Sequence, residues 1–123
     1  MDLTRLSKKA CLLGDFAVGK TSLVDRFVYN RFSDKYLATI GVKVSRKAMV
    51  VPRSKDVVEL SMMLWDLAGG EEFEHLRTHY LRGASGGLLV CDLTRPETLD
   101  TLRNYAIQLR AMNPDIKMVL LAN

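Results

Sequence analysis

The stretch Gly14-Asp15-Phe16-Ala17-Val18-Gly19-Lys20-Thr21 limits what this chain can fold into more than any other. It fits G-x-x-x-x-G-K-[ST], a glycine-rich loop whose backbone cradles phosphate. An apolar run, Ala10 to Leu13, precedes it, and an amphipathic segment, Ser22 to Asn30, follows. That order predicts a strand, a tight turn and a helix opening on the turn. Backbone N–H groups of the turn and the helix N-terminus then converge on one centre and favour an anion there. Lys20 can reach the outer phosphates, and the Thr21 hydroxyl can ligate Mg²⁺. Gly14, Asp15, Phe16, Ala17, Val18, Gly19, Lys20, Thr21 and Ser22 are therefore expected to form a nucleotide-phosphate site.

The rest of the composition agrees with one ordinary globular domain. The 123 residues are 48% hydrophobic and 26% charged, enough to bury a core. A net charge of +4 is too modest to indicate nucleic-acid binding. Lys8 and Lys9 precede only a short apolar run that Gly14 and Asp15 interrupt, so no signal peptide is expected. No apolar run reaches membrane-spanning length, and no prenylation pattern closes the sequence. Cys11 and Cys91 both lie in apolar runs, which suits buried thiols in a reducing compartment better than a disulfide. A cytoplasmic location is therefore expected.

Along the chain, strands alternate with helices. Strands are predicted at Lys9 to Leu13, Gly41 to Val51, Val57 to Asp66, Gly87 to Asp92 and Ile116 to Ala122. Residues 52 to 56 turn between the second and third. Helix one spans Lys20 to Asn30 with Leu23, Val24, Phe27 and Val28 as its apolar stripe. A short helix is expected from Glu72 to Leu81. Thr94-x-x-Glu97 resembles a capping box for a third helix, whose Leu99, Leu102, Ala106 and Leu109 form a stripe and which Asn113-Pro114 stops. This pattern predicts an α/β fold with a doubly wound, mostly parallel sheet covered on both faces.

Two further constellations carry chemistry. Asp66-Leu67-Ala68-Gly69 ends an apolar strand; a carboxylate there can hold Mg²⁺ opposite Thr21, and Gly69 lets backbone approach a terminal phosphate. Alone, D-x-x-G is only a turn after a strand; behind a phosphate loop it is informative. Thr39, in Tyr36-Leu37-Ala38-Thr39-Ile40-Gly41, could bind the metal only when the terminal phosphate is present, which would make its loop a sensor. The plainer alternative is a β-branched residue entering a strand.

In this order, over the whole chain, these residues resemble the small GTPases, nearest to the Rab and Ran branches of the Ras superfamily. The resemblance rests on Gly14 to Thr21, Tyr36 to Val42, Trp65 to Gly69, and Tyr80-Leu81-Arg82-Gly83-Ala84 leading into the Leu88 to Thr94 strand. It implies a Ras-like P-loop domain that binds GTP or GDP with Mg²⁺, the metal held by Thr21, Thr39 and Asp66. It makes Arg31 to Gly41 the first switch and Leu67 to Leu81 the second, where effector or regulator proteins would bind. Phe32, seven residues before Thr39, matches the aromatic that packs on guanine, and Asn123 the first residue of the Asn-Lys-x-Asp guanine motif.

Three departures from that family pattern matter. The water-orienting glutamine position holds Gly70, and the usually small position after Gly14-Asp15 holds Phe16, whose ring would crowd the space for a water or an arginine finger. The sequence given ends at Asn123, before the family's remaining base-contacting residues and its last helices and strand. The catalytic set is then Lys20, Gly70 and Glu71, with Glu71 as the alternative group beside the water. Hydrolysis is expected to be slow. The competing class is a pseudo-GTPase module that holds nucleotide without significant turnover. The apolar Ile116 to Ala122 strand would lie at an edge, so a continuation of the chain, a second copy or a swapped element is expected to cover it.

Weaker candidates read better as structure. His75 and His79 with Glu72 mimic a metal-ligand face but lack the H-E-x-x-H pattern. Lys43, Arg46, Lys47, Arg53 and Lys55 suit an edge strand guarded by charge better than a docking face for an acidic partner or an anionic membrane. Trp65 suits packing.

Overall fold

The computed structural model describes residues 4–15, 17–29, 42–67 and 77–123, the side chains of residues 77 and 78 excepted. Its elements are β1 (Thr4–Leu13), α1 (Lys20–Tyr29), β2 (Val42–Pro52), β3 (Val57–Leu67), α2 (Arg77–Leu81), β4 (Gly86–Cys91), α3 (Glu97–Met112) and β5 (Lys117–Ala122). The strands form one sheet in the order β2-β3-β1-β4-β5. β1 pairs parallel with β3 and β4, and β4 parallel with β5. Only β2 runs antiparallel, against β3. The mostly parallel α/β sheet expected from the alternation is therefore present.

β1 begins five residues before the predicted strand, at Thr4 rather than Lys9. Its polar first half is carried by the ladder to β3, from Thr4↔Val58 to Met63's partner Lys9, instead of by burial. Hydrophobicity alone could not register that half, because main-chain pairing does not require apolar side chains. At the far end of the β2–β3 hairpin, Arg53 N–H donates to the Asp56 carbonyl at 2.8 Å and its guanidinium grips the Asp56 carboxylate at 2.7 and 2.5 Å.

Period-two alternation in β1 sends successive side chains to opposite faces. Cys11 and Leu13 join Leu67, Tyr80, Leu81, Leu89, Cys91, Leu102 and Leu109 in the larger cluster, against α2 and α3. Ala10 and Leu12 join Val24 and Leu64 on the α1 side. α3 comes close to β4 because residue 87 is glycine: a Cβ there would lie 2.6 Å from Leu109 Cδ1. Both faces of the sheet are thus covered, as the sequence predicted.

Several expectations are corrected at the margins. The Thr94-x-x-Glu97 capping box does not form; Pro96 occupies the N-cap without a side-chain cap. Thr94 instead turns back, its N–H and hydroxyl both donating to Asp92 Oδ1 at 2.8 and 2.7 Å. Leu99 lies outside the α3 stripe and is 51% exposed, because Thr98, fully buried, takes the inward position. Thr98 can do so because its hydroxyl accepts from Asp92 N–H at 2.8 Å and donates to the Arg95 carbonyl at 2.7 Å. Phe27 likewise stands half-exposed on α1, under the Lys47 ammonium at 5.5 Å. In the second predicted helix, residues 77–81 are helical and residues 72–76 lie outside the described part. β5 is an outer strand, with Val119 and Leu120 more than half exposed rather than buried.

The basic β2 hairpin behaves as a guarded edge. Lys43 pairs with Asp25 of α1 at 2.9 Å, and Arg46 donates to Ser61 Oγ at 2.9 and 3.2 Å. With Arg53 on Asp56 and Lys47 over Phe27, four of the five basic residues have partners within the chain.

Cys11 and Cys91 are free and buried. Burial pushes the Cys11 thiol from 9.0 up to about 11. The unfolded thiol therefore loses its proton first as pH rises, and the stability that the folded thiol contributes is complete below pH 9.0 and lost through about pH 11. Unfolding free energy should accordingly fall by on the order of 2 kcal/mol across that window. Denaturant titrations at successive pH values check this, and Cys11→Ala should flatten the slope.

Candidate functional site

The parallel strands β1, β3, β4 and β5 all end at one edge of the sheet, where residues 14–19 after β1, Asp66 of β3, Asp92 after β4 and Asn123 after β5 lie. β1 occupies the centre of the strand order, with the chain leading away to β3 on one side and β4 on the other. That crevice is where open α/β sheets place ligands. The loop Gly14 to Gly19 follows β1 directly into it.

Three features shape the loop. Gly14 packs so tightly beneath β4 that a Cβ would lie 2.4 Å from the Val90 carbonyl oxygen. Ala17 and Gly19 take left-handed backbone, φ 63° and 100°. A Cβ on Gly19 would also collide with Asn123 Nδ2 at 2.2 Å. The side chain of Lys20, first residue of α1, folds back over this turn. The residue is only 6% exposed, and its ammonium donates to the carbonyls of Gly14 at 3.1 Å and Asp15 at 3.3 Å. Burial lowers its pKa, and the carboxylates of Asp66 and Asp15 oppose that shift. The result is a cation enclosed in a ring of backbone polar groups at a helix N-terminus, an arrangement that accommodates an anion.

Next to it, the Thr21 hydroxyl donates to Asp66 Oδ2. The contact joins the start of α1 to the end of β3, and Asp66 is 1% exposed. A hydroxyl and a carboxylate are both hard oxygen ligands of the kind Mg²⁺ selects. These residues fit the expected metal, which would supply charge neutralisation between phosphate oxygens. Among the described residues no group of three His, Cys, Asp or Glu side chains gathers for a metal, and His79 is exposed on α2. Glu72 and His75, the other two members of the His-based face, lie outside the described residues.

Asn123 closes the other side. Its Nδ2 donates to the Val18 carbonyl at 2.9 Å, while its backbone bonds Cys91 and Leu93 at 2.9 and 2.7 Å. The sequence pointed to Asn123 only as a base reader; the structure adds that it ties the end of β5 to the phosphate loop. At the end of β4, hydrogen bonds from the Thr94 side chain and backbone, then from Arg95, hold the Asp92 carboxyl down at about 2.

Tyr80 was missed by the sequence as a site residue. From α2 its ring enters the gap between β1 and β3, one residue from Asp66 in register. Its hydroxyl accepts from Leu12 N–H at 3.1 Å and Leu67 N–H at 3.2 Å, and lies in donor range of the Leu12 carbonyl at 2.8 Å and the Trp65 carbonyl. Trp65 packs edge-on against it at 6.3 Å, and the Lys9 ammonium lies 3.8 Å from the Trp65 ring centre. Trp65 is therefore the packing residue it was expected to be.

The structure thus brings together Gly14, Asp15, Ala17, Val18, Gly19, Lys20, Thr21, Asp66 and Asn123. Ser22 is exposed on α1. Phe16, Phe32, Thr39, Gly69, Gly70 and Glu71 lie outside the described residues, as does the whole Arg31 to Gly41 loop. No helix among the described residues is long and apolar enough to cross a membrane.

Fold and loop together define a P-loop nucleotide-binding domain of the Ras type. Comparison with known proteins places it further: residues 9–123 match the family described as "Roc: Ras of Complex, Roc, domain of DAPkinase", and the chain belongs to this Ras-type small GTPase family. The chain is similar to Ras-related protein Rab7 of Drosophila melanogaster, 42% identical over 120 residues, covering 94% of this chain and 56% of that protein. It is 37% identical over 114 residues to Ras-related protein Rab-22A of mouse, covering 93% and 57%. Ras-related protein RABA4d of Arabidopsis thaliana is 37% identical over 116 residues, covering 94% and 50%. The chain spans about half the length of the curated relatives it matches. The Rab-like resemblance is borne out.

Replacing Tyr80 by Phe keeps the packing and removes the hydroxyl shared by the two strands. Two buried amides then lose an acceptor, which should lower stability by about 1–3 kcal/mol. The shift in urea midpoint at constant slope measures it.

Proposed function

We propose that this chain is the nucleotide-binding core of a GTP-dependent molecular switch, holding guanine nucleotide with Mg²⁺ and hydrolysing GTP slowly. The observation that carries this reading is the buried Lys20 ammonium, folded onto the Gly14 and Asp15 carbonyls beside the Thr21–Asp66 contact. In this reading the loop amides and Lys20 bind the phosphates, and Thr21 and Asp66 hold the metal, joined by Thr39 when a terminal phosphate is present. Asn123 steadies the loop and, with Phe32, accounts for guanine preference by resemblance. Effector and regulator proteins bind through residues 31–41 and 67–81.

Slow turnover follows from two side chains. Gly70 has none to orient the attacking water, and by resemblance to the family a ring at Phe16 would crowd the same space. These two residues also favour the second reading, a module that keeps nucleotide and barely turns over. Both readings share binding and differ in rate, so single-turnover hydrolysis separates them. Mass spectrometry of the nucleotide that co-purifies with the protein tests the guanine assignment.

Lys20→Ala should weaken GTP·Mg²⁺ binding by tenfold or more, on the order of one charge-assisted contact to phosphate. Unchanged affinity by calorimetry would overturn the phosphate-loop role.

Gly70→Gln should speed single-turnover hydrolysis if the missing amide is the main defect. If Gly70→Gln is silent and Phe16→Gly accelerates, crowding is the block. A wild-type rate already as fast as that of a glutamine-bearing small GTPase would instead direct attention to Glu71, whose carboxylate can accept a hydrogen bond from the water.

A further inference from the structure

The second residue of the phosphate loop is acidic, which is unfavourable beside a bound polyphosphate. Like charges within a few ångströms repel, the more so where water is excluded. The structure places the Asp15 carboxylate against α3, where Asp15 Oδ2 accepts from the Thr101 hydroxyl at 2.9 Å. Thr101 also lies 3.2 Å from the Glu97 carbonyl, the usual resting partner of a helical threonine. A hydroxyl has one proton, and the closer, charged acceptor takes the stronger bond.

The partners of this contact are themselves fixed. One turn earlier on α3, buried Thr98 bonds both Asp92 N–H and the Arg95 carbonyl. The first half of α3 is thereby locked to the end of β4. Within Asp15, the backbone carbonyl accepts from Lys20 at 3.3 Å while the side chain is held by Thr101. The same residue thus joins the phosphate-binding lysine to a helix with no residue of its own in the phosphate loop.

We infer that Thr101 is a positioning residue for nucleotide binding: its hydroxyl draws the Asp15 carboxylate onto α3 and fixes the loop carbonyl that orients Lys20. The inference rests on the nucleotide-binding reading above. It has a consequence for regulation: a movement of α3 that stretches the Thr101–Asp15 bond loosens the nucleotide without touching it. A protein docking on α3 would therefore be felt at the phosphates.

The test is dissociation of a fluorescent GDP analogue from the intact protein, chased with excess unlabelled GDP in Mg²⁺. Thr101→Val keeps the shape and removes the donor; it should release nucleotide about threefold to tenfold faster, the range expected when one ordinary hydrogen bond is lost. Thr101→Ser should restore the wild-type rate. On an Asp15→Ala background, Thr101→Val should add little, because the repelling carboxylate and its tether are both gone. Thr101→Val releasing at the wild-type rate, Thr101→Ser behaving like Thr101→Val, or fully additive rates in the double variant would each overturn the inference. Asp15→Asn, which keeps an acceptor oxygen, gives an independent arm and should release more slowly than Asp15→Ala. Wild-type protein that binds no guanine nucleotide would overturn the functional reading itself; normal wild-type binding with a silent Thr101→Val overturns only the role of Thr101.

Discussion

A buried ammonium is costly unless acceptors surround it, and the site is built around meeting that requirement for Lys20. The carbonyls of Gly14 and Asp15 provide the acceptors, and the carboxylates of Asp66 and Asp15 oppose the loss of its proton. The loop must curl tightly for those carbonyls to reach Lys20. That is why Gly14 has no room for a Cβ under Val90, and why Gly19 adopts φ 100° against Asn123. Backbone strain, close packing and charge all serve one point in space at the start of α1.

The scaffold behind this point is held from both faces. On one, Val24 of α1 packs with Leu12 and Leu64; on the other, Cys11 and Leu13 meet Tyr80, Leu102 and Leu109. Tyr80 links the two roles of the sheet. Its ring belongs to the core, and its hydroxyl bonds the backbone of β1 and β3 next to Asp66. Disturbing α2 therefore strains the strand ends that present Lys20's loop and Asp66. Through Tyr80, α2 is tied to the ends of the two strands that carry the loop and Asp66.

The two outer strands manage their exposure differently. β2 uses Lys43, Arg46 and Lys47, each engaged with a neighbour within the chain, and ends in a proline that cannot donate to a ladder. β5 carries no charge between Met118 and Ala122 and exposes Val119 and Leu120. The contrast fits one edge shaped to stay in water and another suited to being covered.

How much of this was written in the chain depends on the range of the interaction. The phosphate loop, the Asp66 strand end, the alternation of strands and helices and the two-faced β1 follow from local spacing and hydrophobic period, so the sequence alone determined them. The family followed from the order of those motifs. Local rules misled where a short polar side chain had two options: Thr94 suited a capping box but folded back on Asp92, and Thr98 displaced Leu99 from the buried stripe because its hydroxyl found partners there. The polar half of β1 was invisible because ladder pairing leaves no hydrophobic trace. The contacts that tie the site together, Tyr80 on Leu12, Asn123 on Val18 and Thr101 on Asp15, span 68, 105 and 86 residues. Only the tertiary structure decided these, because a hydrogen bond between residues so far apart depends on where the whole sheet brings them and leaves no periodic signal in either segment.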